Sequence, residues 1–521
     1  MMEYGFLSLV PAILAIALAI ITKNIVVSLL ISIFVGSTIL CGWNPVLGFT
    51  ETIKTHMFTA LGESSNMQAL FMMTLIAGFI ALLTRSGGSG AFTTLVNKKI
   101  NTRAKCETGI WLGGLFVWFT DTGNSLLVGP VFESLGEKLR VSREKFAYIL
   151  DCTTSPICSM VPIVGFGVTT YSLIQTELDK AGITDTSGIE VFMEGIPFNF
   201  YAILTLFMCG LMAITQWDFG PMLKAQNRAM KTGKTLRDGA TPMRSESGKE
   251  DELKEQGKKG KVSTMLIPLA VLLIVLFAYL LSKDFLHVKP AGSDIRTAIA
   301  SGFLAATIVL IGLCLKDKLF SFTECVDIFT KGCSNAMFMC VVLVLAWSLS
   351  SVTSSLDTAS YLIHITSGFL APNLLPLVMF IIGAIMSFAT GTSWGTMGVL
   401  MPIGLPVAIQ MGASLPLLSA AILGGALFGD HCSPISDTTV LASIGSRCDH
   451  VDHFETQMPY AVLTAVVCGI MFLITGWVYT PIMLLVAAVL LTACVFVLHK
   501  ISVKKHGQVT EPGEVEAEVE A

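Results

Sequence analysis

Thr120-Asp121-Thr122-Gly123-Asn124-Ser125 interrupts a segment, 107–136, that is otherwise apolar enough to enter a membrane. Both flanks of that segment are basic. Residues 85–107 carry five Lys or Arg and one acid, and residues 137–145 carry four and two. Lys and Arg in short loops mark the cytoplasmic side, so both ends belong on one face of the membrane. A re-entrant hairpin satisfies this: it enters from the cytoplasm, turns at the polar tip and returns. Non-helical backbone at membrane depth is tolerated only where protein or a water-filled cavity surrounds it. The alternative is one ordinary kinked helix.

The rest of the chain has the composition such a hairpin needs. Of 521 residues, 53% are hydrophobic and 13% charged, against roughly 25% charged in soluble domains. A bilayer core takes ~20 consecutive apolar residues per helix. Residues 4–22, 24–50, 64–84, 195–217, 262–282, 297–315 and 332–356 contain no Lys, Arg, Asp or Glu. Residues 456–499 form a 44-residue uncharged block, enough for two helices joined at Thr475-Gly476-Trp477. These runs predict an all-α polytopic membrane protein. The net charge of −4 gives no electrostatic case for nucleic acid. The thirteen Cys form no CxxC pair and read as small buried side chains. No nucleotide-binding P-loop is present, which argues against an ATP-driven pump.

Loop charge orients the remainder. The polar stretch 218–262, with eleven basic and seven acidic residues, reads as a cytoplasmic linker without apolar periodicity. Residues 171–196, with five acids and one base, belong outside. The tail 500–521 begins basic and ends acidic and reads as cytoplasmic and disordered. In the second half, residues 358–429 lack every Lys, Arg, Asp and Glu, and within them Ala389-Thr390-Gly391-Thr392-Ser393-Trp394-Gly395-Thr396 separates two apolar arms. This reads as a second hairpin, entering from outside.

The two halves then show the same order of parts. Three helices lead into a hairpin, followed by a long helix with a Ser-Pro-Ile break and one further helix. The breaks are Asp151–Ile157 and Asp430–Ile435. The expected fold is two inverted repeats of five helices, each with a re-entrant hairpin, over 1–217 and 263–476. The hairpins fall at about 107–136 and 374–412, and the broken helices at about 145–170 and 415–445. An extra helix at 477–499 brings the count to about eleven crossings, with the N-terminus outside. Inverted repeats whose discontinuous helices meet near mid-membrane are a recurrent plan of secondary transporters. A channel or purely structural role explains the paired breaks less well.

A charged side chain at the bilayer centre costs ~2.5–3.5 kcal/mol on insertion scales, so Asp121, Asp151, Asp430 and Asp437 are functional candidates. Small hard cations take carboxylate, hydroxyl and carbonyl oxygens at close range. The first break offers Asp121, Thr122, Asn124 and Ser125, then Asp151, Thr153 and Ser155, with Pro156 freeing an upstream carbonyl. The second offers Thr390, Thr392 and Ser393, then Asp430, His431, Ser433, Ser436, Asp437 and Thr438. Asp430 and Asp437 share a face if their segment stays helical. Desolvation disfavours the charged form of a carboxylate, so such a group can alternate between a proton and a cation. His431 is either a second titrating group or a hydrogen-bond partner for a neighbouring carbonyl. Helix capping is the alternative role for Asp151 and Asp430. Cys448-Asp449-His450-Val451-Asp452-His453 has metal-like residues but reads as a solvated capping cluster at a helix start.

Gly429-Asp430-His431-Cys432-Ser433-Pro434-Ile435-Ser436-Asp437-Thr438-Thr439 closely resembles the signature of the NhaC-type sodium/proton antiporters, part of the ion transporter superfamily. Cys448–His453 followed by Thr456–Tyr460 looks like its continuation in one branch, and Thr120–Ser125 and Gly391–Thr396 fit the hairpin tips. The resemblance spans roughly residues 5–480. It implies a carrier of the bacterial inner membrane with Na+ as coupling ion, no cofactor and no enzymatic activity. By analogy with members that have hairpin-tip sodium sites it places cations near Asp121–Ser125 and Thr390–Thr396, and Na+ is expected near Asp121, Asn124 and Asp430. The expected partners are the lipid bilayer, Na+ and H+, with no nucleic acid. Under a second reading the chain carries a small organic solute, an amino acid or carboxylate, and its Asp residues bind only sodium. The assembly stays open, a homodimer included.

Overall fold

The structure is a computed structural model that describes residues 4–22, 24–88, 91, 100–121, 124–242, 260–283, 292–366, 371–434 and 436–507. Thr122, the linker from 243 to 259, the tail from 508 and the side chain of Asp437 lie outside the described residues. Among the described residues every regular element is helical, with one isolated bridge between Pro242 and Asp449. Among the described residues eight helices are long and apolar enough to cross a membrane. The count is nine if Val26–Leu40 and Pro45–Gly62, bent by 117°, form one span. Gly5–Ala19, Cys340–Ser355 and Leu415–His431 are shorter apolar helices. The long helices leave large apolar side chains uncovered, such as Ile274 at 65%, Ile308 at 63% and Val489 at 71%. Such a belt suits contact with lipid rather than water.

In the first half, Arg103–Phe116 and Asn124–Lys138 flank the polar tip. A Cβ built at Gly113 would stand 3.3 Å from the Phe132 ring, so the arms fold back on each other. In the second half, Leu375–Thr390 and Ser393–Met411 flank Gly391-Thr392. Gly391 takes the left-handed conformation at φ 68°, which ends the first arm as glycine commonly does. Thr392 caps the second arm, its hydroxyl accepting from Gly395 N at 3.4 Å. A Cβ at Gly404 would meet Met379 Cε at 2.8 Å, so these arms also double back. Leu415–His431 lies against the first of them, with Ser387 Oγ donating to Ala426 O at 2.5 Å.

The broken helices are divided where proline and hydroxyl residues stand. The first runs as Arg143–Cys152, Ser155–Cys158 and Gly165–Lys180. The second runs as Leu415–His431 and Asp437–Ser446. Ser142 and Ser436 cap the Arg143 and Asp437 helices by accepting from Lys145 N and Thr439 N. Capping satisfies backbone donors that the helix itself leaves bare. The last helix, Met483–His506, starts six residues after the expected 477 and takes in Lys500, Lys504 and Lys505.

Two polar stretches differ from their sequence reading. Residues 220–232, assigned to a linker without periodicity, form the helix Gly220–Thr232, which buries Met222, Leu223, Gln226, Ala229 and Met230. Those positions recur at i, i+4 and i+7, a stripe masked by the intervening Lys and Arg. Lys145, counted as a loop cation, is wholly buried. Its ammonium pairs with Asp218 and lies 3.9 Å from Glu107, and the Tyr460 hydroxyl donates to Asp218 at 3.1 Å. This cluster ties the helix that carries Asp151 to three other parts of the chain. Removing one partner of a buried pair strands the other, at about 3–5 kcal/mol. Lys145→Ala is therefore expected to lower the unfolding midpoint in detergent sharply. Adding Asp218→Asn to Lys145→Met should restore part of the loss, whereas additive losses would dissolve the pair.

Candidate functional site

The second break builds a carboxylate into a cage of hydroxyls. Asp430 stands one residue before the end of Leu415–His431 and is 1% exposed. Its Oδ1 accepts from Ser436 Oγ at 2.7 Å and its Oδ2 from Ser393 Oγ at 3.1 Å. Ser393 is the first residue of the second hairpin arm, and Ser436 is the cap of the next helix segment. The chain must leave the helix at Cys432 for Ser436 to turn back onto Asp430. Hence Asp430 and Asp437 stand on separate helices, and the shared face that an unbroken helix would create does not form. Ser433 is buried inside the break, and Thr438 Oγ1 lies 3.0 Å from Ser436 Oγ.

Asp151 occupies the matching position in the first half, at the C-terminal end of Arg143–Cys152, and is wholly buried. It caps no helix N-terminus. Its Oδ2 accepts from Thr439 Oγ1 at 3.1 Å and from Gln457 Nε2 at 2.5 Å. Its Oδ1 has no hydrogen-bond partner among the described residues. Thr439 N in turn donates to Ser436 Oγ at 3.3 Å. Asp430, Ser436, Thr439 and Asp151 thus form one hydrogen-bonded ladder between the two halves. Ser436 and Ser393 donate to Asp430, and Thr439 and Gln457 to Asp151, so hydroxyl and amide groups hydrogen-bond both buried carboxyl groups.

The first hairpin tip reaches the ladder from beside it. Asn124 is wholly buried, and its Nδ2 donates to the carbonyls of Gly114, Val117 and Thr153 at 2.8, 3.2 and 3.0 Å. That use of the amide leaves Asn124 Oδ1 without a partner among the described residues. Ser125 Oγ meets Thr154 Oγ1 at 3.2 Å. Asp121 faces elsewhere. Its Oδ2 accepts from Trp394 Nε1 at 3.1 Å, at the edge of a cavity of about 820 Å³ that Thr120, Phe166 and Trp394 also line. Since Ser393 and Trp394 are consecutive, the second tip touches Asp430 with one residue and Asp121 with the next.

Other predicted residues serve the backbone. Thr153 and Thr390 direct their hydroxyls to carbonyls of their own helices, Ile149 O at 2.9 Å and Met386 O at 3.0 Å. Thr392 is a cap, and Ser155 opens the short Ser155–Cys158 helix. His431 is wholly buried with Nδ1 3.2 Å from the Tyr201 hydroxyl.

Sequence reasoning missed Gln457, Thr439 and His453. It read Cys448–His453 as solvated, and that holds only in part. Asp449 is the cap, accepting from Val451 N at 2.9 Å, and Asp452 pairs with Arg237 at 2.9 Å. His453 is wholly buried. It stands 3.9 Å from Asp151 Oδ2 and 3.0 Å from Gln457 Oε1. The available signal was the four-residue spacing of His453 and Gln457, which puts both on one helix face. Among the described residues no group of three or more His, Cys, Asp or Glu forms a metal site.

Comparison with known proteins agrees with this architecture. An uncharacterized protein of Haemophilus influenzae is 33% identical over 491 residues, covering 91% of each chain. The malate-2H(+)/Na(+)-lactate antiporter of Bacillus subtilis is 34% identical over 31% of this chain and 34% of its own. The fold is shared with the YdaH transporter of Alcanivorax borkumensis, at a TM-score of 0.54 and 13% identity, over 82% of this chain and 90% of that one. Residues 157–477, which hold Asp430, Thr439, His453 and Gln457, match the Na+/H+ antiporter family, and the chain is a multi-pass membrane protein belonging to that family.

Proposed function

We propose that this chain exchanges Na+ for H+ across the bacterial inner membrane, with Asp430 as the carboxylate for which the two ions compete. The observation that carries the reading is the burial of Asp430 between the hydroxyls of Ser393 and Ser436. An ionised carboxylate there would hold Na+ with the oxygens of Ser393, Ser436 and Thr438. A protonated one loses its charge and with it the ion. Asp151 is the second proton-bearing group, coupled to Asp430 through Ser436 and Thr439. Asp121 and the bare oxygen of Asn124 would meet the cation on its way. The two doubled-back arms serve as re-entrant hairpins of two inverted repeats, 1–217 and 263–476. The linker and C-terminus lie in the cytoplasm and the N-terminus outside, as loop charge predicts.

The test uses purified protein in liposomes with an internal pH dye. Sodium alone, with no organic solute, should drive proton movement that collapses the imposed gradient. Silence until an amino acid or carboxylate is added would favour the second reading, in which the hairpin side chains bind a solute. One observation speaks for that reading. The cavity at Asp121 holds about 820 Å³, within the ~300–1,000 Å³ range of small-molecule sites, and Arg85 and Lys331 line it along with Trp394 and Phe166.

A further inference from the structure

Ser443 stands between two histidines. Its Oγ lies 2.9 Å from His453 Nδ1 and 3.2 Å from His450 Nδ1, and it donates to Thr439 O at 2.9 Å. The far side of each ring fixes its protonation pattern. His450 Nε2 faces the carbonyl of Pro434 at 2.8 Å, and a carbonyl only accepts, so that nitrogen carries hydrogen. His453 Nε2 faces Gln457 Oε1 at 3.0 Å. The amide nitrogen of Gln457 is committed to Asp151 Oδ2 and to His431 O, so its oxygen must accept, and His453 Nε2 carries hydrogen too.

With both rings neutral, each Nδ1 presents a lone pair to Ser443. One hydroxyl hydrogen then faces three acceptors: two ring nitrogens and the Thr439 carbonyl. One added proton relieves the shortage. With His453 charged, its Nδ1–H donates to Ser443 Oγ, whose own hydrogen turns to His450 Nδ1 or Thr439 O. His450 is only partly buried, whereas His453 is wholly so, and the row leads inward from the protein surface. The ionisable groups facing His453 are Asp151 at 3.9 Å and His450; Gln457 reaches only the backbone carbonyl of His431.

We infer that His450, Ser443 and His453 form a one-proton relay that delivers H+ to the side of Asp151, where the proton is held on His453. In the transfer His450 Nδ1 gives its proton to Ser443 Oγ while the proton of Ser443 passes to His453 Nδ1. The hydroxyl ends with one hydrogen, His450 ends neutral, and the positive charge has moved next to the carboxylate. This rests on the Na+/H+ exchange reading and brings a proton from the surface to within 3.9 Å of its second carboxyl group. The side chains of Ser443 and His450 meet the segment around Asp430 through the carbonyls of Thr439 and Pro434, so Na+ binding is expected to persist when those side chains are changed.

The experiment separates proton delivery from Na+ handling. In liposomes, Ser443→Ala should slow Na+-driven proton flux about tenfold or more, since positioned acid–base groups contribute 10²–10⁴-fold. Tracer Na+/Na+ exchange at equal pH should persist, because it moves no net proton. His450→Asn, altered at the partly exposed end, should repeat the pattern. An equal fall in both fluxes would mean a structural role and overturn the relay, as would wild-type proton flux. Ring ¹⁵N spectra of wild-type protein, with His453→Gln for assignment, decide the matter independently of transport. Titrated between about pH 9 and pH 5, the span around the ordinary histidine range, His453 should become doubly protonated. A ring that stays neutral throughout overturns the relay. A ring that titrates in a protein without Na+-driven flux overturns the exchange reading instead.

Discussion

Asp430→Asn is expected to abolish Na+-driven proton movement while the protein still inserts and folds. The amide matches the carboxylate in shape, and its oxygen still accepts one of the two serine hydroxyls. What it loses is the charge and the capacity to take up and release a proton. Around Asp430 the donors are neutral hydroxyls at 2.7 and 3.1 Å, and neither replaces that charge for a bound cation. Each 1.4 kcal/mol of lost binding is a factor of ten. In a site 1% exposed, with an effective dielectric of about 20, a unit charge about 4 Å from the ion contributes about 4 kcal/mol, so its loss should weaken Na+ binding about a hundredfold or more. Flux in liposomes at matched protein content, with unfolding in detergent as the check on folding, reads this directly. Wild-type flux in the Asn variant would remove Asp430 from the mechanism. Asp430→Glu is the companion, since it keeps the charge but displaces it by one methylene from the position that Ser393 and Ser436 hold. It should retain measurable exchange with a weaker apparent Na+ affinity.

What could be read in advance divides along a physical line. Burial in lipid is an averaged property of many residues, so uncharged runs located the long helices, and proline with hydroxyl clusters located the breaks. The carboxylates were legible because a charge inside an apolar run needs a reason. Their partners were not. Gln457 and Thr439 are ordinary polar residues until folding sets them 2.5 and 3.1 Å from Asp151, which stands some three hundred positions away in the chain. The charge pattern also misled where tertiary contacts override it. Lys145 belongs to a basic loop by sequence, yet Asp218 and Glu107 draw it inside, and the polar surface of Gly220–Thr232 hid a buried apolar stripe. His453 shows the same effect at the site: beside Asp449 and Asp452 it reads as solvated, but one helical turn carries it from the surface to Asp151.

Gly129→Leu is expected to separate the two halves and abolish both stability and exchange. Asn124–Lys138 crosses Asp437–Ser446 with the backbones in contact. A Cβ at Gly129 would stand 2.3 Å from Gly445 O and 2.9 Å from Gly445 Cα, and a Cβ at Gly445 would stand 2.3 Å from Ser125 O. Close helix crossings in membranes rely on such small residues. The opposing atoms here are backbone, so no rotamer change relieves the clash and the helices must move apart. That crossing sets the separation between Asn124 and Ser125, one turn before Gly129, and Thr439, which holds Asp151. Overpacking costs about 1–3 kcal/mol for added methylenes in a tight core, and Leu adds four carbons against main chain. Gly129→Ala should therefore fall between wild type and Leu in both detergent unfolding and Na+-driven flux. Gly136 on the same helix provides the contrast, because a Cβ there meets only Val141 Cβ at 3.9 Å. With room available, Ala in place of helical Gly gains about 0.8–1 kcal/mol, so Gly136→Ala should stabilise the protein and leave flux intact. If Gly129→Ala stabilised as Gly136→Ala does, the crossing would not be the close contact on which the alignment of the two carboxylates depends.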